Sequence, residues 1–188
     1  HLAQCEDKNY VSHCCLKQQW KTRSAKDKWA AELKPLSNTD FGNPPISLED
    51  FGCLRETEWL NDHLINLCFW SFQQREKKSM NQRRRLKQNH FFQTYFGTML
   101  TSPSTNTYTQ LAGHTSTVDM FSCQKLFLPV NIDNSHWICI AICINEKLIV
   151  AYDSMRGHHM HILKLTFGFL ANQHLCEKGA LLPGQWRL

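Results

Sequence analysis

The 188-residue sequence contains no apolar run approaching the roughly 18 to 20 residues needed to cross a bilayer. His1 to Tyr10 also lacks the apolar centre of a secretory leader. These absences predict a soluble globular protein of the cytosol or nucleus. Paired CxxC and HxxxH spacings are missing, which argues against zinc at Cys5, His13, Cys14 and Cys15, where adjacent cysteines make awkward tetrahedral ligands. An evenly spaced disulfide framework is absent too: the nine cysteines are odd in number and scattered through apolar segments, so reduced thiols are expected. No aromatic residue interleaves the basic run from Arg83 to Lys87. Despite a net charge of +5, that run reads as a solvated loop rather than a nucleic-acid site.

A 42% hydrophobic content is enough to supply a core. It is unevenly placed. Residues 1 to 44 are polar and of mixed charge, with Trp20 and Trp29 suggesting some local helix, and they end in Asn43-Pro44-Pro45. Two adjacent prolines exclude regular helix, so the predicted division is an extension over 1–44 and a folded domain over 45–188. The chain starts at His1 rather than at a methionine and reads as part of something longer.

Past Ile46, Phe51 and Leu54 comes WLNDHLINLCFWSF, in which Leu60, Leu64, Leu67 and Cys68 recur at helical spacing. This predicts a buried helix with Glu58 near its positive end. NHFFQTYF at 89 to 96 is a second apolar cluster. Thr101 to Thr117, rich in Ser, Thr, Asn and Gly, reads as a long exposed loop. Strands are predicted at Lys125–Val130, Trp137–Ile144 and Lys147–Tyr152, the last two joined by Asn145-Glu146. A helix is expected from about His158 to Gln173. Helices flanking a mostly antiparallel sheet make an α+β domain.

In the strand around Ile140, residues His136 to Ile144 at even numbers share one face and Trp137 to Cys143 at odd numbers the other. Both faces are apolar, which predicts a central strand covered on each side. If Ile144 pairs with Lys147, the register brings His136 and Asp153 together at one end of the hairpin. A carboxylate beside an imidazole can fix its tautomer and stabilise its protonated form. On spacing alone the plainer reading is preferred, a capped strand with a surface histidine and a turn-forming Asp-Ser.

The segment LPVNIDNSHWICIAICINEKLIVAYDSMRG resembles the core of the SUMO-specific (sentrin-specific) cysteine proteases, the ubiquitin-like-protein proteases. WLNDHLIN, NHFFQTYF and VDMFSCQKLFLPV resemble other motifs of that family and occur in its order, over about residues 46 to 188. The resemblance implies a papain-like α+β architecture, His136 as base and Asp153 as its orienter. It further implies that Trp59 and Trp137 wall a tunnel for a Gly-Gly tail and that Asp62 faces the modifier, SUMO or a relative. No cofactor is implied.

One family motif is missing from the sequence: a nucleophile in a stretch like Gln-x-x-x-Ser/Asp-Asp-Cys-Gly, downstream of the Asp. Cys176, in NQHLCEKGAL, reads as a helix-end cysteine, and Gln173 as an unlikely oxyanion donor. GQWRL at the end resembles the family segment just ahead of the nucleophile, so the expectation is a chain that stops before its cysteine. Two readings follow. One is a deconjugating or precursor-processing cysteine peptidase domain, inactive in this form. The alternative is a non-catalytic module that binds a ubiquitin-like modifier.

Overall fold

The computed structural model describes residues 46–47, 50–54, 58–83 and 88–188, with side chains for all of these except 79–83. The chain divides into two units between Arg55 and Glu56. In the first, the Ser47 N–H donates to Asp50 Oδ2 at 2.7 Å and the Asp50 N–H to Ser47 Oγ at 3.2 Å. This reciprocal pair opens a 3-10 turn, Asp50–Leu54. The arm over 1–44, the Pro44-Pro45 boundary, the Cys5, His13, Cys14 and Cys15 group, Trp20 and Trp29 all lie outside the described residues.

In the second unit Asn61 starts the first helix, its Oδ1 accepting the Leu64 N–H at 3.0 Å. Helix α1 (Asp62–Arg83) is followed by β1 (His90–Phe91), α2 (Thr94–Thr101), α3 (Tyr108–Gly113), β2 (Lys125–Ile132), β3 (His136–Cys143), β4 (Leu148–Tyr152) and α4 (Met160–Lys178). The strands form one sheet in the order β1-β2-β3-β4, parallel between β1 and β2 and antiparallel elsewhere. This is the expected α+β arrangement, with β3 inside the sheet.

The even face of β3 forms the floor of the core. Ile138, Ile140 and Ile142 are no more than 3% exposed and pair with Val130, Leu128 and Leu126 of β2. Phe96 and Leu100 of α2 and Phe169 and Leu170 of α4 join the same core cluster. Each such side chain contributes about 1.5–3 kcal/mol on burial, so the layer between sheet and helices holds the second unit together. Helix α2 comes close because Gly97 has no side chain: a Cβ there would lie 2.2 Å from the Pro129 carbonyl oxygen. On the odd face Ala141 and Cys143 are buried, while Trp137 and Cys139 are half-buried. Phe91 stacks on Phe127 at 5.0 Å between ring centres and meets Phe69 of α1 edge-on at 5.9 Å.

Three expectations need correction. Helix α1 is not a buried helix: among its described side chains only Leu64 is fully buried. Polar groups fasten it instead. Asn66 Oδ1 accepts the Thr94 N–H at 2.8 Å, Gln73 Oε1 the Phe91 N–H at 3.0 Å, and Glu76 Oε1 the Asn89 N–H at 3.2 Å. The stretch from Thr101 to Thr117 is not one exposed loop, because α3 lies within it and Leu111 and Thr115 are each 1% exposed. Its hydroxyls turn back on local carbonyls, as Thr115 Oγ1 does to Ala112 at 3.2 Å, so a polar composition there conceals buried structure. The last helix begins at Met160 and runs past Gln173 to Lys178, where Gly179 at φ 65° closes it with an N–H bond to Leu175.

Candidate active site

Two turns bring the site residues together. After β2, Asp133 and Asn134 take φ of 51° and 54°, a left-handed pair that Asp and Asn tolerate well, and the Ser135 N–H bonds the Ile132 carbonyl at 3.0 Å. That reversal makes His136 the first residue of β3. At the other end of β3, the ladder runs from Cys143 with Leu148 to Cys139 with Tyr152. Continued inward to the turn, this is the register that pairs Ile144 with Lys147, and Lys147 at φ 51° completes the reversal. Continued outward, it sets Asp153 beside the start of β3.

His136 Nε2 and Asp153 Oδ1 lie 2.5 Å apart. The carboxylate is 5% exposed and the imidazole 18%. With Nε2 held by the carboxylate, Nδ1 is the ring nitrogen left to face a reacting group. Four hydrogen bonds surround Asp153. Oδ1 takes His136 and the Met155 N–H at 2.7 Å, and Oδ2 takes the Gly157 N–H at 2.6 Å and His159 Nε2 at 2.8 Å. The His159 bond, followed by the Met155 N–H, does most to hold the Asp153 carboxyl well below the usual carboxylate range, against the opposing pull of desolvation.

Of the other expected residues, Trp137 follows the imidazole in sequence, and Trp59 and Asp62 are exposed at the start of α1. Trp137 follows His136 on β3, and its indole Nε1–H donates to the Leu60 carbonyl at 2.7 Å. That bond ties the segment ahead of α1 to the hairpin. Trp59, one residue earlier, is 68% exposed. Asp62 is exposed in the first turn of α1. Tyr152 and Met155 are also largely open, at 61% and 72%. Apolar surface therefore lies exposed on both chain segments that the Trp137 bond joins.

None of the thiols in the described residues is hydrogen-bonded to His136. Cys139 lies on the opposite face of β3 from His136, and burial pushes its thiol up to about 11, away from a reactive thiolate. Cys176 is exposed near the far end of α4. Gln173 is buried, with Nε2 donating to Glu177 at 2.5 Å and Oε1 facing the Thr115 hydroxyl at 3.5 Å. Sequence reasoning missed His159, Gly157 and the Leu60 carbonyl. The only mark of the first is an unexplained His-His pair after Asp-Ser.

Residues 58–176 match the model of the Ulp1 protease family, C-terminal catalytic domain. The chain belongs to that family of cysteine proteases. It is 31% identical over 116 residues to ubiquitin-like-specific protease 1A of Arabidopsis thaliana, a match covering 59% of the chain and 22% of that protein. Solved structures agree in fold. SUMO protease Ulp1 with its catalytic cysteine oxidised to a sulfonic acid superposes with a TM-score of 0.62 at 20% identity, covering 89% of the chain and 72% of that structure. The Ulp1 C-terminal protease domain in complex with SMT3, the yeast ortholog of SUMO, gives 0.59 at 21%, covering 88% and 72%. The chain thus spans about a fifth of the length of the curated relative.

Proposed function

We propose that this chain supplies the base and the orienter of a cysteine peptidase that cleaves SUMO, or a related ubiquitin-like modifier, after its Gly-Gly tail. The observation that carries this reading is the His136 Nε2 contact with Asp153, which leaves Nδ1 as the proton acceptor. In the reaction a thiol gives its proton to His136 Nδ1, and the thiolate attacks the terminal glycine carbonyl. The imidazolium, stabilised by Asp153, then protonates the departing lysine amine. Exposed Trp59 and half-buried Trp137 suit an extended glycine backbone that bulkier residues could not follow, and Asp62 suits a basic side chain on the modifier. The reaction belongs in the cytosol or nucleus, where thiols stay reduced.

The sequence contains no Asp-Cys-Gly, and among the described residues no cysteine is hydrogen-bonded to His136. Extending the chain with a family-type Gln and Asp-Cys-Gly segment should produce cleavage of a Gly-Gly-linked modifier, abolished by His136→Ala. A folded extended protein with no turnover would overturn the proposal. The exposure of Trp59 and Tyr152 favours a second reading, a module that binds the modifier without cutting it. Binding by the 188-residue chain, lost in Trp59→Ala, together with an inert extended protein, would select that reading.

A further inference from the structure

Asp153 is shared between two histidines. His136 approaches Oδ1 at 2.5 Å and His159 approaches Oδ2 at 2.8 Å, with side-chain exposures of 18% and 12%. Backbone N–H groups of Met155 and Gly157 fill the remaining acceptor positions, one on each oxygen. A carboxylate has about four such positions, so this one is saturated and cannot rotate without breaking several bonds together.

The loop that makes this cage is specialised for it. Arg156 takes φ 58°, turning the chain so that the N–H groups on both sides of it point at the carboxylate. At Gly157 a Cβ would lie 2.8 Å from Asp153 Oδ2 and 2.9 Å from His159 Nε2. Any side chain at 157 would therefore enter the space where His159 meets the carboxylate. The contact depends on that glycine.

We infer that His159 is a positioning residue for His136, acting through Asp153: it pins the second carboxylate oxygen and makes the two imidazoles compete for one negative charge. The inference uses the catalytic reading only to give His136 its role. When both rings are neutral, each donates from Nε2 and the carboxylate holds both. When one ring gains a proton, the carboxylate stabilises it, and a second proton then arrives against the first ring's positive charge. Groups coupled in this way lose protons in two macroscopic steps that belong to the pair. His159 thus limits how strongly Asp153 supports the imidazolium of His136.

Other titratable or charged groups on the flanking elements are Asp133 in the β2–β3 turn, Tyr152 at the end of β4, Arg156 and His158 in the loop, His161 and Lys164 on α4, and Glu58, Asp62 and His63 around the start of α1. Among the described residues, His159 and His136 are the side chains hydrogen-bonded to Asp153.

The test is a histidine-selective NMR titration of the full chain, with His159→Gln to assign the ring signals. In the native chain both rings should report two steps. In His159→Gln, which keeps a donor that cannot be charged, the second step should disappear from the His136 curve. Gly157→Ala, which forces a methyl between Oδ2 and His159, should bring the two steps closer together. A single step for each ring in the native chain overturns the inference, as does a His136 curve unchanged in both variants. If a variant fails to fold, the number of steps in the native chain decides. Cleavage is not read, so an inactive protease with coupled histidines counts against the proposed function alone.

Discussion

Trp137 donates its indole N–H to the carbonyl of Leu60, a residue 77 positions earlier in the chain, at 2.7 Å. This bond joins the two segments that carry Trp59 and Trp137, the indoles proposed to wall the Gly-Gly tail. Trp59 itself stands 68% exposed, so the position of its segment depends on neighbours such as this one rather than on its own burial.

Trp137→Phe keeps a flat apolar ring and removes the donor. A hydrogen bond of this kind is worth up to about 1 kcal/mol, and the smaller ring adds a comparable loss of contact. The variant should therefore lose about 1–2 kcal/mol in urea unfolding, and modifier binding should weaken as the Trp59 segment loosens. A variant as stable as the parent, with unchanged binding, would show that the indole N–H does not hold the segment.

Acid should loosen the site through Asp153. Its folded carboxyl is held below the usual carboxylate range, so its contribution is fully present above about pH 4 and is lost as pH falls through the folded value. Asp153→Asn removes that contribution at every pH. The difference in urea midpoint between the native chain and Asp153→Asn should be large above about pH 4 and should shrink in stronger acid. A difference that stays constant down to pH 2 would mean that the charge on Asp153 is not what organises the 153–159 loop.

The hairpin was legible in the sequence because period-2 patterning and the tight Asn145-Glu146 connection together restrict the register, and register alone brings His136 to Asp153. Contacts set by the backbone were not legible. His159 reaches the carboxylate only because Arg156 goes left-handed and Gly157 leaves room, and no spacing rule encodes that combination. Helix α1 misled for another reason. Its Leu and Phe positions carry a helical period, yet Asn66, Gln73 and Glu76 secure it through bonds to a segment whose position is known only after folding. Leu111 was hidden in the same way by the threonines around it.

The thiols offer a direct check that none of them is the nucleophile. Burial raises Cys139 to about 11, so at neutral pH almost none of it is thiolate. Cys176 is exposed. Brief treatment of the folded chain with iodoacetamide at pH 7.5, followed by peptide mass spectrometry, should find Cys176 labelled well ahead of Cys139, and His136→Ala should leave the rate at each unchanged. Fast labelling of any one cysteine that disappears in His136→Ala would instead reveal a thiol activated by the imidazole.

Two helical glycines should respond to the same substitution with opposite sign. In α2, Gly97→Ala would place its Cβ 2.2 Å from the Pro129 carbonyl oxygen and 3.3 Å from a Val130 methyl. The first obstacle is backbone in a paired strand and cannot swing aside, so α2 must move off β2. Such overpacking typically costs about 1–3 kcal/mol, which exceeds the roughly 1 kcal/mol that alanine gains over glycine in a helix interior. In α4, a Cβ on Gly168 meets nothing within 4 Å. There the helix preference stands unopposed, and Gly168→Ala should stabilise by up to about 1 kcal/mol. Denaturant unfolding of the two variants side by side should give shifts in opposite directions, and a stabilised Gly97→Ala would mean that the approach of α2 to β2 is looser than the core packing requires.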